Sequence, residues 1–153
     1  SNNWIVDNRK LPIKELVKIY HSSHAFLFLS MGEGAALTLM EAMATQMPVV
    51  TSYHTAMMDY CNELNSYPVK VDPGKIEVLV KVNDETVTKE IDAGIPNIIS
   101  TMTQMSNVMY KYESASDIAR QAMKDARKLT WENSAKRLKE ILENLDSSSS
   151  NLA

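Results

Sequence analysis

The sequence predicts an α/β fold, a doubly wound parallel sheet flanked by helices, on three observations. The run Ala25-Phe26-Leu27-Phe28-Leu29 is continuously apolar, and Val49-Val50-Thr51 nearly so. Short runs of this kind suit strands buried on both faces, as a parallel sheet requires. Stretches with apolar residues at helical spacing separate them, and repeated strand–helix alternation favours this architecture. At 153 residues and 44% hydrophobic content, the chain is sized for one domain with its own core.

Each element has its own signal. Ile13, Leu16, Val17 and Tyr20 recur at i, i+3, i+4 and i+7 behind Pro12, a residue suited to a helix start. After the strand Ala25 to Leu29, Ser30-Met31-Gly32-Glu33-Gly34 reads as a loop. Leu37 to Gln46, rich in Ala, Met and Leu, reads as a helix that Pro48 ends. Val49 to Thr51 is the next strand, Ala56 to Cys61 a weak helix, and Tyr67 to Val71 a third strand. Then the pattern changes. Ile76, Val78, Val80 and Val82 alternate with Glu77, Leu79 and Lys81 before the turn signal Asn83-Asp84, and Asp72-Pro73-Gly74 reads as a turn on the other side. A hairpin or small meander inserted at about 72–90 is expected.

Beyond Pro96 the pattern is helical. Ile98, Met102, Met105, Met109 and Tyr112 form one stripe, and Ile118, Ala122, Ala126 and Leu129 a second. Trp131, Ala135, Leu138, Leu142 and Leu145 form a third behind Thr130 as N-cap. The phase breaks at Ser114 and Thr130, which favours packed surface helices over a coiled coil. Most of the ten methionines fall on these faces and are assigned to core packing. One unit over 1–146 and a disordered tail over 147–153 complete the organisation.

Composition excludes several function classes. A net charge of −3 gives no basic face for nucleic acid or anionic membrane, and no apolar run approaches a membrane span. The opening Ser1-Asn2-Asn3-Trp4 does not read as a signal peptide. A single cysteine, Cys61, forms no internal disulfide, fits a reducing compartment, and reads as a small core residue.

The chemistry-bearing stretch is Glu33-Gly34-Ala35-Ala36-Leu37-Thr38-Leu39-Met40-Glu41. It crosses from the carboxyl end of a strand into a helix, where open α/β sheets bind ligands. Free N–H groups and the positive dipole end of that helix favour a phosphate. Glu33 and Glu41, unsuited to an anion, are fitted to accept hydrogen bonds from hydroxyls such as those of a ribose and a hexose. Spacing alone leaves open that both are solvated helix-end residues. His21 and His24 lack a third ligand at metal spacing, His54 stands on a loop that could face a sugar, and Asp59 reads as a helix-start aspartate. Lys136, Arg137 and Lys139 beside Glu132, Glu140 and Glu143 read as a solvated, salt-bridged face.

An ordered set of segments carries a resemblance. Leu11-Pro12, Glu15-Leu16, Ile19-Tyr20, Ala25 to Ser30, Gly32-Glu33-Gly34, Leu39-Met40-Glu41-Ala42-Met43-Ala44, Pro48-Val49-Val50, Asn65-Ser66-Tyr67 and Thr130 to Ala135 together resemble the carboxyl-terminal, donor-binding domain of GT-B glycosyltransferases. The group resembled is the retaining family four, or group 1. The resemblance implies a Rossmann-like half of a GT-B fold that binds a nucleotide-diphosphate sugar. Glu33 would contact the donor sugar as the catalytic carboxylate, and Glu41 would hold the ribose. Gly34, Ala35, Ala36 and Leu37 would present backbone to the diphosphate and sugar. The resemblance implies no metal or other cofactor, and places the acceptor, a glycan, lipid or protein, against an N-terminal domain outside this chain. It also implies a cytoplasmic protein, peripheral at a membrane in its full-length form. Where the family often has Phe-Gly, this chain has Ala35-Ala36, and a glycine there would permit positive φ. The alternative reading is a non-catalytic interaction or nucleotide-binding module on the same scaffold.

Overall fold

The computed structural model describes Asn3 and residues 5–149; Ser1, Asn2, Trp4 and residues 150–153, with that part of the expected tail, lie outside the described residues. Three short strands form a parallel sheet in the order β1 (Phe26–Phe28), β2 (Val49–Ser52), β3 (Tyr67–Val69). Phe26 stands beside Val49, and Val50 beside Tyr67. Helix α1 (Ile13–Ser22) precedes β1, α2 (Leu37–Ala44) joins β1 to β2, and the single turn α3 (Met57–Tyr60) joins β2 to β3. This is the expected wound α/β arrangement, with helices on both faces.

Burial follows from alternation along the strands. Val49 enters one core with Phe26, Phe28, Leu39, Met43, Met57 and Tyr20. Val50 points to the other face and joins Tyr67, Val69, Val108 and Ala115. β2 is buried at every position, but β1 is not. Leu27 is 45% exposed, which corrects the expectation of burial on both faces. β1 is the edge of the sheet, and the helix on that face packs against β2 and β3, leaving Leu27 uncovered.

Helix α2 ends differently from expectation. Met47 N–H bonds to Ala42 C=O and Gln46 N–H to Met43 C=O, with Gln46 at φ 61°. This is a Schellman cap, and it closes the helix two residues before Pro48.

The insert is a hairpin of two twelve-residue strands, β4 (Val71–Val82) and β5 (Glu85–Pro96). It is longer than the expected 72–90. Asn83 and Asp84 take φ of 48° and 65°, the two positive values of a type I′ turn. Asp72-Pro73-Gly74, expected as a turn, lies inside β4 opposite Ile95, Gly94 and Ala93. A two-stranded ribbon leaves every second N–H outside the ladder, and counting back from the turn puts Pro73 at such a position. At the base, Gly94 N–H bonds to Met31 C=O and Asn97 N–H to Lys70 C=O.

Helices α4 (Ile98–Tyr110), α5 (Tyr112–Ala126) and α6 (Trp131–Ser149) follow. Helix α4 buries Thr101 and Val108; the expected stripe Ile98, Met102, Met105 and Met109 faces outward, with Met102 60% exposed. Met31 and Met58 are exposed as well, so core packing holds for Met43, Met47 and Met57 but not for most methionines. The reason is polar. The Asn97 side chain accepts from Ser100 N–H, Ser100 Oγ accepts from Lys70 N–H, and Gln104 Nε2 donates to Pro68 C=O. These bonds turn the 97–100–104 side toward β3.

Helix α5 buries an alanine stripe, Ala115, Ala119, Ala122 and Ala126, while Leu129 is exposed. On helix α6 the expected stripe faces outward: Trp131 is 93% exposed, and Leu138, Leu142 and Leu145 are exposed too. Thr130 does cap it, its Oγ1 accepting from Asn133 N–H. The helix runs to Ser149, past the expected start of the tail at 147.

Buried Asn65 ties α5 to the loop before β3. Its Oδ1 accepts from Asn62 N–H, and its Nδ2 donates to Tyr60 C=O and to Asp125. The Lys128 ammonium, then Gln121 and Asn65, hold the Asp125 carboxyl below its usual range.

These caps and ties can be tested through stability. Gln46→Gly relieves the left-handed strain at an exposed position and should raise the thermal midpoint by about 2–4 °C, read by calorimetry. Asn65→Ala strands a buried amide and carbonyl and should cost about 2–3 kcal/mol in urea unfolding. Because the folded carboxyl of Asp125 titrates low, its contribution is present above the ordinary carboxylate range and lost as pH falls through its folded value. Asp125→Asn should therefore flatten the acid limb of stability against pH.

Candidate functional site

The loop from Ser30 to Ala36 lies at the carboxyl end of β1, and its neighbours pin it from below. Ser52, last residue of β2, donates through Oγ to Ser30 C=O. Thr55, on the loop after β2, accepts through Oγ1 from Glu33 N–H at 2.9 Å, and Ala56 N–H donates to Glu33 C=O at 3.4 Å. The Glu33 carboxylate, half-buried, accepts from Ser30 Oγ at 2.8 Å. Position and orientation of Glu33 are thus set by two strand ends.

Ala36 opens α2 in the left-handed region, at φ 53° and ψ 54°. This is the positive φ that a glycine would take without strain, and a non-glycine residue there costs about 1–2 kcal/mol. The methyl group is buried in the core. Ala36 C=O accepts from Leu39 and Met40 N–H, starting the helix. The amides of Gly34, Ala35, Ala36, Leu37 and Thr38 carry no acceptor from the chain among the described residues. Unpaired first-turn amides and the positive dipole end suit an anion. Gly32 and Gly34 open onto empty space, where an added Cβ meets nothing within 4 Å.

Glu41 lies on the second turn of α2, exposed, with Tyr20 Oη donating to its Oε2 at 3.5 Å. Burial, and then the charge of Glu41, push the Tyr20 phenol up. The two glutamates therefore contact different neighbours, Glu33 the β2 side and Glu41 helix α1. A cavity of about 620 Å³ lies elsewhere, beside β3, lined by Tyr53, Pro68, Lys70 and Gln104 among others. Neither glutamate lines it.

Tyr60 was not anticipated as part of this region. From α3 its Oη donates to the C=O of Ala35 at 3.2 Å and of Ala36 at 3.4 Å. Burial, first, raises its phenol well above the ordinary value, so it stays a donor across the physiological range. Its only sequence signal was a lone aromatic residue on a weak helix.

The remaining candidates are placed as follows. His54 packs its ring against Gly94 of the hairpin, where a Cβ would meet the ring at 2.6 Å, and lines a cavity of about 350 Å³ with Asp92. The His24 ring sits edge-on to Tyr112 at 5.9 Å. Asp59 is exposed on α3. Cys61 is buried, with its thiol pushed up to about 12 by desolvation, as befits a core residue. No group of three potential metal-ligating His, Cys, Asp or Glu side chains occurs among the described residues. Arg137 with Glu140 and Lys139 with Glu143 form the expected exposed ion pairs on α6.

A parallel α/β sheet flanked by helices defines a Rossmann-like fold. The family model for glycosyl transferases group 1 matches residues 9–91, more than half of the chain. The chain belongs to that glycosyltransferase family. No curated protein matches it closely enough to add a relative. The match ends inside β5, so α4, α5 and α6 lie beyond it, and no helix among the described residues is long and apolar enough to cross a membrane.

Tyr60→Phe should remove the tie on the Ala35 and Ala36 carbonyls at a cost of about 1 kcal/mol. Hydrogen exchange at the amides of Leu39 and Met40, which donate to Ala36 C=O, should accelerate more than exchange at β2, which distinguishes local loosening from global destabilisation.

Proposed function

We propose that this chain is the nucleotide-sugar donor-binding half of a retaining glycosyltransferase. The observation that supports this most is the row of unpaired amides from Gly34 to Thr38, with Glu33 held beside it by Ser30 and Thr55. In this reading the amides of Gly34, Ala35, Ala36 and Leu37 bind the diphosphate, where charge grows as the sugar–phosphate bond breaks. Glu33 accepts hydrogen bonds from donor-sugar hydroxyls and aligns the anomeric carbon, which makes it the catalytic carboxylate. Glu41 accepts from the ribose hydroxyls. Fixed amide dipoles stabilise the leaving diphosphate, so no metal ion is required. The acceptor, a glycan, lipid or protein, is met by a second, N-terminal domain, and without it this half binds donor but does not transfer. The working compartment is the cytoplasm, with the completed enzyme peripheral at a membrane.

Calorimetric titration with nucleoside diphosphates tests the reading. Glu41→Ala should weaken binding by about 1–3 kcal/mol, the cost of losing hydrogen bonds to a charged acceptor. Glu33→Ala should leave binding of the bare diphosphate nearly unchanged and lower turnover in the enzyme completed by its acceptor half. Unchanged binding and transfer in both variants would reduce the two glutamates to solvated surface residues.

A further inference from the structure

Beyond its base, the hairpin carries an unpaired edge along β4. Val82 and Glu85 are the first and fourth residues of the I′ turn, so they form a hydrogen-bonded pair. Antiparallel alternation then commits the N–H and C=O of Val80, Val78 and Ile76 to β5. The same alternation turns those of Lys81, Leu79, Glu77 and Lys75 outward. The sheet has only these two strands, so the outward row has no partner within it. Such a row is a template for another strand. Leu79 stands at its centre, 76% exposed.

We propose that a second copy of this chain pairs with the β4 edge, antiparallel and about a twofold axis at Leu79. Several registers satisfy the backbone phase, and the side chains choose among them. A twofold axis on an outward-facing residue, or on the residue between two of them, lets both strands offer free N–H and C=O groups. An axis at Val78 sets Lys75 against the partner's Lys81, one at Val80 sets Lys81 against the partner's Leu79, and one at Ile76 brings Pro73, which cannot donate, against the partner's Leu79. An axis at Lys75 or Lys81 sets a lysine against itself, and an axis at Glu77 sets a glutamate against itself. Leu79 is the uncharged member of the row. With the axis there, Leu79 faces the partner's Leu79, and Glu77 faces the partner's Lys81, twice by symmetry. On the opposite face Val78 meets the partner's Val80, and Ile76 meets the partner's Val82. Like thus meets like on the apolar face and opposite charges meet on the other, which is how cross-strand pairs stabilise a sheet.

The competing features do not block this register. Lys81 lies 4.0 Å from Asp84 of its own chain and is largely exposed, so it can turn to the new carboxylate. Lys75 already pairs with Glu90 of its own chain. Pro73, which cannot donate, lies beyond the paired stretch. The outward row of β5 is a poorer template. An axis at Thr88 places Lys89 against the partner's Val87, an axis at Glu90 opposes two carboxylates, and an axis at Val87, although it pairs Glu85 with the partner's Lys89, sets Asp84 against the partner's Glu90.

Sedimentation velocity over a concentration series tests the proposal, with circular dichroism confirming that each variant is folded. The parent should dimerise reversibly. Glu77→Lys and Lys81→Glu should each weaken association about tenfold, and the double variant, which restores both pairs with the charges exchanged, should recover it. Leu79→Pro removes an outward N–H without touching the β4–β5 ladder and should leave monomers. Leu79→Cys should form an intermolecular disulfide on oxidation, since a hydrogen-bonded antiparallel pair sets the two Cα atoms about 5.5 Å apart. Thr88→Cys on the other strand should not. A parent that stays monomeric to its solubility limit overturns the proposal. So does a dimer indifferent to the charge and proline variants, which would place the contact on another face such as the exposed stripe of α6.

Discussion

Burial of β2 on both faces is the constraint on which the rest of the structure depends. Successive residues of a strand face opposite ways, so Val49 and Val50 must each find a separate core. Each fully buried valine contributes about 1.5–3 kcal/mol relative to exposure, and shifting the strand by one residue would exchange the two faces. Helix α2 therefore covers one face and α4 the other. The end of β2 passes the constraint on: Tyr53 N–H bonds to Val69 C=O, and Ser52 Oγ donates to Ser30 C=O. The loop that carries Glu33 is positioned by a strand to which it is not covalently adjacent.

The parallel sheet was legible because its strands advertise themselves. Phe26, Val49 and Val50 lie in runs too short and too apolar for surface helices, and the three segments pair in one parallel sheet. The hairpin turn was legible for a similar reason, since Asn83-Asp84 is one of few dipeptides that tolerate two positive φ values. Pro73-Gly74 misled because turn chemistry and a free strand edge ask for the same residues. Proline is excluded from a ladder only where its N–H would be used, and that depends on register, which composition does not contain.

Of the helical stripes after Pro96, that of α5 is buried at Ala122 and Ala126, whereas those of α4 and α6 failed through the same kind of ignorance. Periodicity shows that a face is apolar but not that anything lies opposite it. In α4 the buried side carries the hydrogen bonds of Ser100 and Gln104 to the backbone around β3, beside the Asn97 cap, and these partners are not visible in the apolar periodicity. In α6 Trp131, Leu138 and Leu142 are exposed, with no element packed over them among the described residues. The glutamates of the candidate site were legible by position. The phenol of Tyr60 was not, because its role arises from a contact made across twenty-four residues of chain.

That contact bears on why an alanine persists at a position shaped for glycine. A residue in the left-handed region holds there only if its surroundings outweigh the strain. Ala36 has three such holds: a methyl group buried in the core, a carbonyl that starts α2, and the Tyr60 phenol bridging its carbonyl and that of Ala35. Glycine would relax the backbone but leave more conformations for the unfolded chain and the loop to explore. Alanine narrows both. In the proposed donor site the backbone carrying the Leu37 and Thr38 amides is therefore ordered on folding, so the ordering cost of a diphosphate there falls on folding and not on binding.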